Sequence, residues 1–120
     1  MKIALFAILL TVPALALADK PNPADYTIVV HVQSSRLVID CGSTFKGSNC
    51  DSELQMDVLI GGKKYEIQDE RPNSSVIHVG DYKARIVKED TSHSYSYTRT
   101  YEILFPDGTT RTYAVVGESE

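Results

Sequence analysis

The chain has 120 residues, 42% of them hydrophobic, and a formal net charge of −4. That length holds one domain with a single core. The acidic balance speaks against nucleic acid as a partner, because phosphate neutralisation requires a basic surface; it suits a basic partner, and it serves solubility in any case.

Residues 1–18 read as a signal peptide rather than as part of the fold. Lys2 forms a short basic region, Ile3 to Val12 an apolar run, and Ala16-Leu17-Ala18 a small-x-small cleavage signal. The apolar run is short for a bilayer span, and no later segment is long enough. No cysteine stands at the cleavage point, which speaks against a lipid anchor. The expected product is exported, periplasmic or extracellular, and starts near Asp19. Without Lys2 it carries 11 basic and 16 acidic residues, a net charge of −5.

Residues 19–25, with Pro21 and Pro23, are expected to be a disordered or extended leader. Tyr26 to Gln33 alternates, placing Tyr26, Ile28, Val30 and Val32 on one face, while Val29 implies partial cover on the other. Ser34-Ser35 is expected to turn this strand into a second one, Arg36 to Asp40. Cys41 and Cys50 are the only cysteines, and export to an oxidising compartment makes a disulfide the default. The intervening Gly-Ser-Thr-Phe-Lys-Gly-Ser-Asn reads as a loop; closing it is worth about 2–3 kcal/mol on the chain-entropy model. No C-x-x-C spacing supports a redox role.

Glu53 to Ile60 alternates with Leu54, Met56, Val58 and Ile60 inward. Gly61-Gly62 supplies a two-residue turn that fixes the register. Val58 should then face Tyr65, Met56 should face Ile67, and Asp57 should stand beside Glu66 on the solvent face, with Lys64 as a diagonal counter-charge. Arg71 to Ser75 is loop, Val76 to Val79 a short strand, and Tyr82 to Lys88 a further strand with Tyr82, Ala84 and Ile86 inward. A polar connection, Glu89 to Ser94, leads into the longest element. This is a hairpin from Tyr95 to Val116 closed at Pro106-Asp107-Gly108, where proline presets φ, aspartate bonds its own backbone and glycine takes φ > 0. A type I turn with a glycine bulge pairs Phe105 with Thr109 and Tyr101 with Tyr113. Residues 117–120 read as a fraying charged tail.

No helical periodicity, repeat or low-complexity tract follows the leader. The pattern predicts an all-β domain over residues 26–116. About seven to eight short antiparallel strands joined by tight turns would form a β-sandwich or a small barrel, and the turns do not decide between the two.

The residues able to carry chemistry are few. His31, His78 and His93 lack the i, i+2 or i, i+4 spacing of metal ligands on one element, so no metal site is expected. Neither G-x-S-x-G nor S-x-x-K is present to supply a serine nucleophile. Asp57 and Glu66 are the one carboxylate pair the register brings together, and a solvent-facing pair lacks the cleft that raises one pKa for catalysis. No cofactor or catalytic residue is expected. Tyr95 and Tyr97 with Arg99, next to Tyr101, Tyr113 and Arg111, offer aromatic faces and guanidinium forks suited to protein or cell-envelope carbohydrate. Asn73-Ser74-Ser75 fits a glycosylation sequon.

Gly62-Lys63-Lys64-Tyr65-Glu66, Gly80-Asp81-Tyr82-Lys83-Ala84-Arg85 and Tyr101-Glu102-Ile103-Leu104-Phe105-Pro106-Asp107-Gly108-Thr109-Thr110-Arg111, with a closing Val-Val-Gly-Glu, form an ordered set. In order and spacing the set resembles a group of small exported proteins of unknown function from acidobacterial soil bacteria. The resemblance implies a bacterial exported domain and brings no catalytic residue, cofactor or partner.

The function expected from the residues is therefore a non-enzymatic binding or structural module acting by surface contact, first at Tyr95, Tyr97 and Arg99. The alternatives are a small inhibitor of a basic cell-wall hydrolase or protease, presenting the Cys41–Cys50 loop, and, further off, a small hydrolase. One consequence is independent of the partner. If Gly108 sets the hairpin register, Gly108→Ala should lose about 1 kcal/mol or more, since a Cβ is then held at φ > 0. Thermal or urea unfolding measures it, and an unchanged midpoint refutes the turn.

Overall fold

The computed structural model describes residues 20–44 and 47–120; the expected signal peptide lies outside them. Six antiparallel strands form a closed barrel: β1 (Ile28–Thr44), β2 (Gly47–Ile60), β3 (Lys63–Asp69), β4 (Gly80–Asp90), β5 (Thr98–Leu104) and β6 (Thr110–Ser119), in the order β1-β2-β3-β6-β5-β4 and back to β1. The all-β reading holds, and closure settles the choice between sandwich and barrel. Each half, β1-β2-β3 and β4-β5-β6, is a meander. The halves join through β3 with β6 and through β4 with β1, so only the connection from β3 to β4, residues 70–79, crosses an end of the barrel.

The alternation read from the sequence supplies the core. Val30, Val32, Leu54, Met56, Val58, Ile67, Ala84, Tyr101, Ile103 and Tyr113 are buried in one cluster that fills the interior, and Tyr26 is buried outside that cluster. Gly61 and Gly62 both have positive φ, the geometry of a type I′ turn, and the register is as expected: Val58 against Tyr65, Met56 against Ile67, Asp57 against Glu66. In the last hairpin Tyr101 pairs with Tyr113, Phe105 N donates to Thr109 O and Gly108 N to Phe105 O, both at 2.9 Å, with Gly108 at φ +89°. Asp107 Oδ1 accepts from Thr109 Oγ1 and Thr109 N, which holds its carboxyl below the usual range.

Several expectations are corrected. Ser34-Ser35 is not a turn: β1 is one strand of 17 residues, and its register shifts between Val32 and Ser34 as a bulge. The reason is that Leu37 and Ile39 fall in phase with the inward face once Gln33 is skipped, so one bent strand satisfies both apolar runs. The cystine "loop" is ladder, with Cys41 directly opposite Cys50 and pairing continuing to Thr44 with Gly47. Val76 to Val79 is not a strand; it is part of the crossing loop. These changes bring the expected seven or eight strands down to six. Val29 is exposed rather than covered, Pro23–Asp25 form a single 3-10 turn capped by Asn22, and the stretch read as a tail is strand, with Glu66 paired to Gly117 and Lys64 to Ser119.

Bulges at Gln33, Val87 and Val116 bend the strands at the places where the ring must close. Closure also demands stagger. A walk across the ladder from Arg36 through Gln55, Gln68, Ala114 and Thr100 ends at Lys88, which lies beyond Ala84, the partner of Ile28 at the very start of β1. Consequently β4 pairs only with Ile28 to Val32, β3 only with Gln55 to Ile60, and the rest of the β1–β2 hairpin leaves the barrel as a two-stranded ribbon.

The crossing loop is pinned by one buried carboxylate. Asp69 Oδ2 accepts from Arg111 Nε at 2.6 Å and Asn73 Nδ2 at 3.3 Å, and its Oδ1 from Arg71 N at 2.9 Å. Arg111 also reaches Pro72 O, Asn73 N donates to Ser52 O, and Ser52 Oγ donates to Asn73 O. Removing the acid leaves Arg111 and the loop donors uncompensated. Asp69→Ala should therefore cost about 2–4 kcal/mol in urea unfolding, whereas Asp51→Ala, on the exposed ribbon, should be near neutral. Equal midpoints for the two variants would refute the clamp.

Candidate functional site

Both ends of the barrel are closed by side chains on inward-pointing positions. At the end opposite the crossing loop, Arg99 of β5 donates from Nε to Glu89 Oε2 at 2.5 Å, contacts Tyr101 Oη at 3.4 Å and lies 5.0 Å over the Tyr97 ring. Tyr97 donates to Glu118 Oε2 at 2.9 Å, and the other oxygen of Glu118 pairs with Lys63. Burial alone would lower Arg99; its bonds to Tyr101 and Glu89 more than reverse this and hold it above its ordinary value. Glu118 is lowered by Lys63 and then Tyr97. Thus of the three residues expected to form a contact surface, Tyr97 and Arg99 are hydrogen-bonded at the barrel end, to Glu118 and to Glu89. Tyr95 alone is open, 84% exposed, its ring 5.3 Å from that of His93. It lines a shallow cleft with Ser96, Tyr97 and Val116.

The other sequence candidates are dispersed. His31 Nδ1 meets Asp81 Oδ1 at 2.6 Å across the β1–β4 seam, the backbone carbonyl of His78 accepts from Tyr82 Oη, and His93 sits between β4 and β5. Among the described residues no group of three or more His, Cys, Asp and Glu is placed to hold a metal ion. Asp57 and Glu66 do stand side by side, but the counter-charge is Arg36, not Lys64: its guanidinium lies 3.0 Å from Asp57 and 3.5 Å from Glu66. The Ser34 hydroxyl and Arg36 hold Asp57 below the usual carboxylate range, the opposite of what a general acid requires. Sequence reasoning missed Arg36 because it placed a turn at Ser34-Ser35, which would have carried Arg36 away from β2. Asn73, the sequon residue, is half-buried and bonded to Asp69 and Ser75.

Glu102 is likewise committed. It accepts from the Tyr26 hydroxyl and from Arg85 Nε, and Arg85 lies 5.2 Å over the Tyr26 ring. A depression of about 680 Å³ runs between Pro21 and Pro23 of the N-terminal segment, Tyr82, Leu104 and the Phe105–Pro106 turn. Its walls are mainly apolar, and Lys20, Asp81, Lys83 and Asp107 also line it.

What sets the ribbon apart is its exposure. Beyond the bulge, Leu37 and Ile39 stay in the inward phase but have no barrel beneath them and are 39% and 76% exposed. Val76 and Val79 of the crossing loop are exposed as well, beside the same end. Ile77 N donates to Ser35 Oγ, and Gly80 pairs with Val32, which sets this loop against the base of the ribbon. On the opposite face stand Asp51 and Glu53, with Asp40 at the register position facing Asp51. The Cys41–Cys50 disulfide, Cα atoms 4.0 Å apart, staples the strands near the tip.

No protein-family model matches the sequence, and neither a curated protein nor a solved structure matches the chain. No described helix is long and apolar enough to cross a membrane.

The end closures have a titration signature. Burial, then the hydrogen bond to Glu118, pushes Tyr97 up to about 12 from 10.0; burial and then Glu102 raise Tyr26; burial and then Asp69 raise Tyr113, whose hydroxyl has no hydrogen-bond partner. A raised phenol pKa means that the folded state keeps a proton the unfolded chain releases near pH 10. This stabilisation is complete below pH 10 and is lost as pH rises from 10 through about 12. The melting temperature should hold to about pH 9.5 and then fall steeply, and Tyr97→Phe should flatten the fall. A parallel decline in both proteins would refute the role of Tyr97.

Proposed function

We propose that this chain is an exported, non-enzymatic binding module that acts by surface contact, and that its contact element is the projecting β1–β2 ribbon. The observation that carries the reading is an apolar ribbon face, Leu37 partly and Ile39 largely exposed, extended beyond the barrel and stapled by Cys41–Cys50. A buried core needs no such face, and exposed apolar surface on a rigid projection is where partners dock. The disulfide fits an oxidising compartment, and the resemblance to small exported acidobacterial proteins supports the same location.

A second reading within this class is a small inhibitor of a basic cell-wall hydrolase or protease. The acidic outer face of the ribbon, Asp51 and Glu53, favours it, and it would insert the same stapled projection. Tyr95 is the competing surface.

Photo-crosslinking separates these surfaces. A benzophenone side chain at position 39, at position 95, or at position 29 on the barrel wall should give an adduct in an envelope extract of the producing cells only from position 39. An adduct from 95 alone moves the contact to the Tyr95 cleft; none from any position refutes binding by surface contact under these conditions. An adduct that is a hydrolase, with loss of its activity, selects the inhibitor reading.

A further inference from the structure

The ribbon's two edges are not equivalent, and the backbone shows which one is open. In an antiparallel ladder, residues of a non-hydrogen-bonded pair point their N–H and C=O groups away from each other, and their Cα atoms are the closer pairs. Cys41 and Cys50 are such a pair, with Cα atoms 4.0 Å apart. Ser52, two residues on, confirms the phase: its carbonyl turns away from β1 and accepts from Asn73 N at 3.0 Å. By alternation, Leu37 with Leu54, Ile39 with Ser52 and Cys41 with Cys50 are all of this kind. On β2 the outward carbonyl of Ser52 is thus taken by the crossing loop. On β1 the outward groups of Leu37, Ile39 and Cys41 face the side where β4 stops at Val32, and no described strand pairs there.

From this edge, resting on the ribbon reading above, we infer that the protein binds an extended segment of a partner by strand addition along Leu37–Cys41 of β1. The segment lies end-on to β4, in the place β4 would occupy if it were longer. Its backbone meets the three outward N–H and C=O pairs, which supplies affinity independent of sequence. Its side chains alternate. Those on the inner face meet Leu37 and Ile39, with Val79 and Val76 next to them, and are apolar. Those on the outer face lie on the side of Asp51 and Glu53 and are basic; Arg36, a cation on that face, is already held by Asp57 and Glu66. The ligand class is therefore a β-strand of alternating basic and apolar residues. A second copy of the chain is disfavoured as occupant, because edge-to-edge pairing of two such ribbons sets acidic outer faces side by side.

The test uses the disulfide-intact protein and the capped heptapeptide Lys-Val-Lys-Val-Lys-Val-Lys, compared with Glu-Val-Glu-Val-Glu-Val-Glu and with Lys-Lys-Lys-Lys-Val-Val-Val, read by calorimetry. Saturable one-to-one binding of the alternating basic peptide is expected, at least about tenfold weaker for the other two and weaker as salt rises. Ile39→Pro removes one outward N–H without touching the β1–β2 ladder and should weaken binding at least about tenfold with unchanged melting. Should that variant fold poorly, Asp51→Lys should weaken the basic peptide and strengthen the acidic one. Equal binding of the block peptide, undiminished binding by Ile39→Pro in a folded protein, no saturation at millimolar peptide, or dimerisation abolished by Ile39→Pro would each overturn strand addition. If position 39 still crosslinks to a partner while the peptides fail, contact through the ribbon stands and strand addition falls; if both fail, both fall.

Discussion

The constraint on which the molecule turns is the pairing of Ile28–Val32 with β4, which closes the sheet upon itself. A six-stranded sheet closes only with strongly tilted, staggered strands, and here the stagger falls on β1 and β2. Their lower halves are consumed by the ring. Their upper halves have no neighbours left to pair with. The ribbon is therefore a geometric consequence of closure combined with strand length.

Closure also explains where the polar side chains gather. A barrel abolishes sheet edges but leaves two open ends, and apolar side chains there would face water. At one end Asp69 binds Arg111 and the crossing loop; at the other Arg99, Glu89, Tyr97, Glu118 and Lys63 bond to one another over Tyr101 and Tyr65. These are the densest constellations of charge and aromatic rings in the described chain, and a reader seeking chemistry is drawn to them. Their partners are nonetheless internal. Each of these carboxylates accepts from a cation, a hydroxyl or an amide of the chain itself.

The sequence was legible wherever the information is local. Two-residue alternation named the buried set, and Gly61-Gly62 and Pro106-Asp107-Gly108 determined register because their backbone conformations permit few alternatives. It was misleading where the deciding term is tertiary. Ser34-Ser35 has turn chemistry, yet pairing of β1 with β2 over both its segments outweighs that preference, and the bulge absorbs the change of phase at Gln33. Val76 to Val79 has strand chemistry, but the chain there must cross a barrel end, where no ladder is on offer. Tyr95, Tyr97 and Arg99 formed one stripe on paper. Two of them bond instead to Glu118 and Glu89 at the barrel end, partners that no property of residues 95–99 alone encodes.

The disulfide ties these points together. Isolated two-stranded ribbons are marginal in water, and this one also exposes Leu37 and Ile39, which favours collapse or pairing with whatever strand it meets. A connection between two barrel strands would be served by a turn as short as Gly61-Gly62. The chain instead carries β1 and β2 far past the last barrel contact and binds them covalently near the tip, where no described strand pairs with the outer edge of β1. Cross-linking restricts the unfolded ribbon and so favours the paired form, which keeps the β1 edge in one extended conformation before any partner arrives. Pre-ordering of that kind lowers the entropic cost of association, and it is the physical reason to place recognition on the ribbon rather than on the barrel that supports it.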